Sequence, residues 1–362
     1  MSVVSTEVVT VGVHPPVRAR TRVVALTRHD HAYDRCFYPA LENLGAQVIE
    51  GVFEGSWLWR ELRPGDVLHL QWPSFLYASA RSRLGLLRSF ARFVALLLLA
   101  RLCGARLVWT AHNVMPHDPT PFPGMDRLGR WIVIALSHRI FVHGPSAAAI
   151  VEARFPQVKR KLTPLLQHGP VFDLYPRTRS RLQARAKLGI APEAHVLLFI
   201  GQCKHYKNVH GLIEAFRALS GDSLLLIAGQ FQRDEYRRKI VALAEGDARI
   251  RLYPQYIPDD EIQDFLLACD CMVLPYLEVL TSGSVILAFS FGRPVVSMAR
   301  GFLKDVVNEE VGLLFDPNDP DGLARALVEV RKRHFDEDAI LAHVRRFSWI
   351  DSARAFLDGL DA

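Results

Sequence analysis

The feature that most constrains this chain is a pattern that runs through it twice. Short, continuous apolar stretches alternate with longer amphipathic ones. In the first half the apolar runs fall at Val23–Thr27, Val48–Phe53, Val67–Leu70, Arg106–Thr110 and Ile140–His143, with helical patterns at Tyr38–Leu44 and Arg81–Leu102. Apolar runs without polar alternation read as strands buried on both faces, which requires a parallel sheet with helices on either side. Residues 167–187 then turn rich in Gly, Pro and Arg and read as a linker with a short helix. A second series follows. Its strands are expected at Val196–Ile200, Ser223–Ala228, Ile250–Tyr253, Cys271–Leu274, Pro294–Ser297 and Gly312–Phe315. Its helices are expected at His210–Leu219, Glu235–Ala244, Asp259–Ala268, Ser284–Phe291 and Asp321–Arg333. The expected fold is α/β, with two Rossmann-like domains facing a cleft: residues 1–166, then 188–345 after the linker. A length of 362 residues suits two domains.

Charge separates the two halves. Residues 1–165 carry a net +9 and residues 166–362 a net −3. Between Asp66 and Asp118 there is no acidic residue, while Arg81, Arg83, Arg88, Arg92, Arg101 and Arg106 all fall inside. Such a block attracts phosphate groups, nucleic acid or an anionic membrane face. No apolar run reaches the ~18 residues of a spanning helix. The start of the chain lacks the apolar core of a secretory signal, and its first ~20 residues read as an irregular lead-in. Cys36, Cys103, Cys203, Cys269 and Cys271 are too scattered for a disulfide framework or a zinc site. A reducing cytoplasm is the expected compartment, with no bound metal.

Four strand ends carry chemistry. Gly201 closes VLLFIG and is followed by a short basic loop with Lys204 and Lys207, then by an amphipathic helix. A glycine that admits backbone, a helix N-terminus and two lysines suit an anion; a solvated loop with two surface lysines fits the same residues. Tyr276, Glu278, Thr281, Ser282, Gly283 and Ser284 lead into the next such helix. Hydroxyls and free N–H groups there suit a second phosphate, and an ordinary N-cap is the plainer reading. Two such helix starts in one half point to a diphosphate. In the basic half, WTAHNVMPHD places His112, Asn113, His117 and Asp118 after a strand, where open α/β sheets bind ligands. These are residue types for a general base or for sugar hydroxyls. Another strand end carries His69-Leu70-Gln71-Trp72-Pro73, where Trp72 suits a stacked sugar ring or simply the core.

These segments together resemble a GT-B glycosyltransferase near glycosyltransferase family 4. FIGQCKHYKNVHGLIEAF is similar to that family's strand-loop-helix, and ALSHRIFVHGPSAAAIVEARFP to its last N-domain strand and helix. LLQHG, with His168 and Gly169, resembles the entry to the linker, and PVVSM after SFGR resembles the family's C-domain strand. RRFSWIDSARAFLDGL resembles the closing helix, which implies that 346–362 crosses back onto the N-domain. The likeness spans roughly residues 23–360. Two positions depart from it. Gln202 stands where an arginine is usual, with Lys204 nearby. Of two glutamates eight positions apart, Glu278 stands for the first, while Leu287 replaces the second. That loss unsettles the retaining stereochemistry the resemblance otherwise carries. HLQWP, WTAHNVMPHD and LTSGS are similar to a narrower group, bacterial exopolysaccharide enzymes like the β-mannosyltransferase of xanthan-type assembly.

The resemblance implies a metal-independent hexosyltransferase. Its donor is a nucleotide-sugar, with GDP-mannose favoured, held by Gly201, Lys204, Lys207, Tyr276, Glu278 and Thr281 through Ser284. Asp118 or His112 is the expected base; Trp72, Asn113 and His117 are the expected acceptor contacts. The expected acceptor is a polyprenyl-diphosphate-linked glycan of exopolysaccharide synthesis, met at the inner face of the cell membrane by a peripheral protein that binds no nucleic acid. Arg81, Arg88 and Arg92 fall on one helical face that suits anionic lipid. Two other readings stand beside this one: a nucleotide-sugar epimerase of the same plan, and a non-catalytic binder of anionic polymers. The basic block favours the latter, although no aromatic stripe or nucleic-acid module accompanies it.

Overall fold

The computed structural model describes residues 21–26, 31–80, 82–116, 118–163 and 168–361. Two parallel sheets organise it. In the N-terminal lobe the order along the chain is β1 (Arg22–Ala25), α1 (Ala32–Asn43), β2 (Gln47–Glu50), α2 (Gly55–Glu61) and β3 (Val67–Leu70). It continues with α3 (Arg83–Leu102), β4 (Arg106–Thr110), α4 (Pro123–Leu136), β5 (Arg139–Phe141) and α5 (Pro145–Arg154). The strands stand in the order β2-β1-β3-β4-β5, each pair parallel.

The C-terminal lobe runs α6 (Arg181–Lys187), β6 (Val196–Ile200), α7 (Val209–Arg217), β7 (Leu224–Ala228), α8 (Asp234–Ala244), β8 (Ile250–Tyr253) and α9 (Ile262–Ala268). There follow β9 (Cys271–Leu274), α10 (Gly283–Ser290), β10 (Val295–Met298), α11 (Phe302–Val306), β11 (Gly312–Phe315), α12 (Gly322–Val330), α13 (Glu337–Arg345) and α14 (Trp349–Gly359). The sheet order is β11-β10-β9-β6-β7-β8. The central strands lie wholly inside the lobe: every residue of β6 and β9 is buried, while the edge strands β8 and β11 are half-buried. This is why the sequence shows unbroken apolar runs there.

Three features of this arrangement have physical causes. Helix α1 begins at Ala32, six residues before the expected start, because Tyr33 and Phe37 are buried; Phe37 packs edge-on against Phe356 of α14. The segment expected as linker ends in α6, which docks on the C-terminal lobe. Buried Arg185 donates to the Asp270 carboxylate at 2.9 Å and to the Ala268 carbonyl at 3.0 Å. Helix α14 leaves its own lobe and closes the core of the other, where Ala353, Phe356 and Leu360 pack with Val23, Ala25, Phe37 and Leu41.

Helix α3 shows a face that the sequence left open between core and surface. Phe93, Leu96, Leu97 and Ala100 are buried, while Leu84, Leu87, Arg88, Arg92, Leu98, Arg101 and Leu102 form an exposed stripe at helical spacing. Arg81 lies outside the described residues. Among the described residues no helix is long and apolar enough to cross a membrane.

Candidate active site between the two lobes

Ligands of open parallel sheets bind beyond the carboxyl ends of the strands, where the strand order reverses. In the C-terminal sheet that point lies between β6 and β9. The loops leaving those strands are the two singled out from sequence, Gly201–Asn208 and Pro275–Ser282. Gly201 and Gly229 end β6 and β7 at φ values of +134° and +143°. A Cβ on Gly229 would stand 1.9 Å from the Gly201 carbonyl oxygen, so no larger residue fits this floor. Asn208, in the left-handed region at φ 55°, caps α7 by accepting from the Gly211 N–H at 3.3 Å.

Lys207 turns into this floor. Its Nζ lies 5.5 Å from the centroid of the buried Tyr276 ring and makes no ion pair with a carboxylate among the described residues. Burial by itself would weaken the ammonium, but Tyr276, Tyr206 and Cys203 outweigh it and hold the pKa above 10.5. It stays charged at every physiological pH. At the end of the loop that carries Tyr276, α10 starts at Gly283 with no side-chain cap from the buried Ser282. The Thr281 hydroxyl oxygen is buried without a partner among the described residues. Gly283 and Glu278 are exposed and Ser284 is half-buried. A lysine against the Tyr276 ring, a helix start without a side-chain cap and an unmatched hydroxyl on the loop that joins them are the ingredients of an anion site.

On the N-terminal side the loop after β4 carries His112, Asn113 and Asp118; His117 lies outside the described residues. Arg130 of α4 holds this loop from beneath, donating to the Val114 carbonyl at 2.8 Å with its guanidinium 4.5 Å over the Trp109 ring. His112 is nearly buried and stacks on half-buried Trp72, with centroids 4.5 Å apart and planes 18° apart. Its pKa is held well below 6.5, chiefly by burial and then by His143, His31, His168 and His69. The ring is therefore neutral at pH 7. The Asn113 Oδ1 is buried without a partner among the described residues. A cavity of about 230 Å³ opens nearby at the ends of β1 and β2, lined by Asp34, Arg35, Tyr38, Glu42 and Glu50 among others.

Two candidates expected to act separately meet across the cleft. Lys204 Nζ donates to Asp118 Oδ2 at 2.7 Å, linking the two lobes. With Asp118 held by Lys204, His112 is the candidate base without an ion pair among the described residues. Other bridges join the lobes as well: Arg35 with Asp259 at 2.9 Å, and Asp305 accepting from the Ser146 backbone N–H at 3.0 Å. At the pivot, the Gly169 backbone lies flat on Trp349, whose Nε1 donates to the Pro170 carbonyl at 2.7 Å. His168 of the same segment reaches the start of α10, with Nε2 3.4 Å from where a Gly283 Cβ would stand.

The sequence reading missed three side chains that this geometry brings in. Asp34, Tyr38 and Gln71 are buried around His112. Gln71 sits in the HLQWP strand end and was visible there only as a polar neighbour of Trp72. Asp34 and Tyr38 lie on α1, far away in the chain, with no local signal.

Comparison with known proteins places the chain. Residues 180–339 match the family of glycosyl transferases group 1. The chain has the GT-B fold. Sucrose-phosphate synthase of Thermosynechococcus elongatus superposes with a TM-score of 0.65 at 19% identity, over 94% of this chain and 98% of that one. HepE of Anabaena in complex with UDP-glucose gives a TM-score of 0.67 at 14% identity, over 94% and 99%. Among curated proteins, the GDP-mannose:glycolipid 4-beta-D-mannosyltransferase of Xanthomonas campestris pv. campestris is 28% identical over 233 residues. The match takes in 64% of this chain and 61% of that relative, so the chain covers less than two thirds of its length. O-antigen chain mannosyltransferase B of Escherichia coli is 28% identical over 187 residues, covering 49% of this chain and 48% of that protein. In this GT-B protein the matched segment 180–339 contains both lysines and α10.

Proposed function

We propose that the chain is a hexosyltransferase that moves mannose from GDP-mannose to a lipid-diphosphate-linked oligosaccharide in bacterial exopolysaccharide synthesis. The observation that carries the reading is Lys207, a half-buried cation with no carboxylate partner among the described residues, 5.5 Å from the Tyr276 ring on the loop that leads to the start of α10, a helix start without a side-chain cap. The names of the Xanthomonas and Escherichia relatives support mannose as the sugar. The β-linkage in the first name supports inversion at the anomeric carbon, as does Leu287 in place of the second glutamate.

The reaction balances as one displacement. The acceptor hydroxyl oxygen forms a bond to the anomeric carbon as the bond from that carbon to the diphosphate oxygen breaks. The hydroxyl proton passes to His112. The bonding pair leaves with the nucleoside diphosphate, whose growing charge meets Lys207, Lys204 and the α10 N–H groups. Glu278 and Ser284 serve hydroxyls of the donor, Trp72 and Asn113 those of the acceptor. No metal is needed where protein cations neutralise the leaving group. The exposed Leu and Arg stripe of α3 rests on the anionic inner face of the cell membrane, where a polyprenyl-diphosphate acceptor resides.

The test is thermal unfolding with GDP, UDP, ADP and dTDP, with and without Mg²⁺. A ligand at 100 times its dissociation constant adds about 2.7 kcal/mol, which raises the midpoint by several degrees. The expected result is a shift with GDP alone, indifferent to Mg²⁺, and lost in Lys207→Ala. No shift with any nucleotide would sink the donor site. Binding of an anionic polymer that survives Lys207→Ala with a steep salt dependence would favour a non-catalytic binder.

A further inference from the structure

We propose that Asp34 and Gln71 form a buried relay that sets the tautomer of His112 and steadies the positive charge it gains on taking the acceptor proton; this rests on His112 being the base. The relay is a chain of three side chains: Asp34 of α1, Gln71 just after β3 and His112 in the loop after β4. Gln71 Nε2 donates to Asp34 Oδ1 at 2.5 Å and to the Tyr38 hydroxyl at 2.9 Å, and Gln71 Oε1 lies 2.9 Å from His112 Nε2. Gln71 is 1% exposed and Asp34 4%, so water does not compete for these bonds.

The chemistry of the donor set fixes the protons. Because the Gln71 NH₂ donates to Asp34 and to Tyr38, its carbonyl Oε1 is the atom that faces His112. A carbonyl oxygen can only accept, so His112 Nε2 must carry the proton. The lone pair is then on Nδ1, which makes no hydrogen bond among the described residues. The same logic propagates sideways. The Tyr38 hydroxyl accepts from Gln71 and donates to His69 Nδ1 at 2.9 Å, which leaves His69 Nε2 to donate to the Thr110 hydroxyl at 2.8 Å. The chain from Asp34 through Gln71 to His112 is thus committed to one tautomer.

The arrangement also addresses the weakness of the base. His112 is surrounded by Tyr33 of α1, His69 of β3, His143 at the end of β5, His168 of the interlobe segment and His31 ahead of α1. None of these favours an imidazolium. Asp34 supplies the negative charge, and the Gln71 amide carries its polarisation to Nε2–H. The Trp72 face stacked on the ring adds a cation–π contribution once the ring is charged. Asp34 and Gln71 are positioning residues, because neither reaches the cleft side of the imidazole in this chain of bonds.

The experiment combines two readouts on the full chain. First, ¹⁵N-histidine NMR, assigned with His112→Ala, reports which ring nitrogen of His112 is protonated. The wild type is expected to show a protonated Nε2 and a bare Nδ1, and Gln71→Met to show mixed tautomers. Asp34→Asn, which keeps the shape, is expected to shift the titration of His112 to lower pH. Second, turnover of GDP-mannose with a polyprenyl-diphosphate glycan is followed against pH. Both variants are expected to lose tenfold or more in kcat at unchanged donor KM, within the roughly 10²–10⁴-fold that a general base contributes. Retained GDP-dependent thermal shifts show that each variant is folded. A bare Nε2 in the wild type, or unchanged kcat and titration in Asp34→Asn, overturns the relay. Full turnover in His112→Ala instead overturns the assignment of His112 as base, even where the tautomer result stands.

Discussion

Replacing Asp118 with Asn removes the charge that holds Lys204 across the cleft. The pair is close, at 2.7 Å, with the lysine side chain 14% exposed and the carboxylate 44% exposed. Ion pairs with this much solvent contact contribute about 0.2–1 kcal/mol, and the shielded lysine places this one toward the upper end. A nucleoside diphosphate that recruits Lys204 must first break the pair. The wild type therefore binds GDP more weakly than it would without Asp118, by that same energy. Asp118→Asn is expected to tighten GDP binding roughly 1.4- to 5-fold, measured by titration calorimetry. The gain is expected to shrink at high salt, where exposed charges are screened. In a Lys204→Ala background the same substitution is expected to change nothing, which closes a double-mutant cycle. Unchanged or weaker GDP binding in the single variant would refute the competition. The same variant separates the two candidate bases. Its kcat is expected to fall far less than the ~10²–10⁴-fold that removal of a general base costs, and a fall of that size would return the role to Asp118.

Three further outcomes are expected. Gly169→Ala puts a Cβ 2.5 Å from the Trp349 ring, so α14 must shift off the N-terminal lobe; the thermal midpoint is expected to drop by several degrees, in line with the ~1–3 kcal/mol of an overpacked core, and an unchanged midpoint would mean the pivot is loose. Burial holds His168 down to about 4 and His69 down to about 3. An unfolded histidine takes up its proton near 6.5, so their stabilisation is complete above that pH. It is lost as the pH falls from about 6.5 towards 4, at ~1.4 kcal/mol per pH unit for each ring; a flat midpoint over that range would contradict it. On α3, Leu84 and Leu87 are 57% and 51% exposed among arginines, so changing both to Glu is expected to weaken sedimentation with anionic vesicles at least tenfold. Equal co-sedimentation of variant and wild type would take the membrane away from this face.

Much of the architecture was legible locally. Val67–Leu70, Arg106–Thr110, Val196–Ile200, Ile250–Tyr253, Cys271–Leu274 and Gly312–Phe315 are strands with the bounds their apolar runs set, because a strand buried on both faces writes its length directly into hydropathy. Gly201 with the lysines, and Thr281 through Ser284, could also be singled out locally, since a strand end followed by a helix start is written in adjacent residues; the structure sets both at the switch point of the second sheet. The start of α1 was not legible, because Tyr33 and Phe37 are fixed by α14, more than three hundred residues away in sequence. The stripe on α3 was ambiguous for the same reason: a helix rich in leucine shows which leucines are covered only once its neighbours are placed.

The sequence by itself determined two parallel α/β units facing a cleft, the first unit basic and the second mildly acidic. Only the tertiary structure decided which residues of that cleft act on one another. It tied Asp118 to Lys204, residues from different lobes, and put His112 at the end of a relay from α1 through β3. Hydrogen bonds and ion pairs reach only about 3 Å, and the partners here come from distant parts of the chain, so no local pattern of residues encodes them.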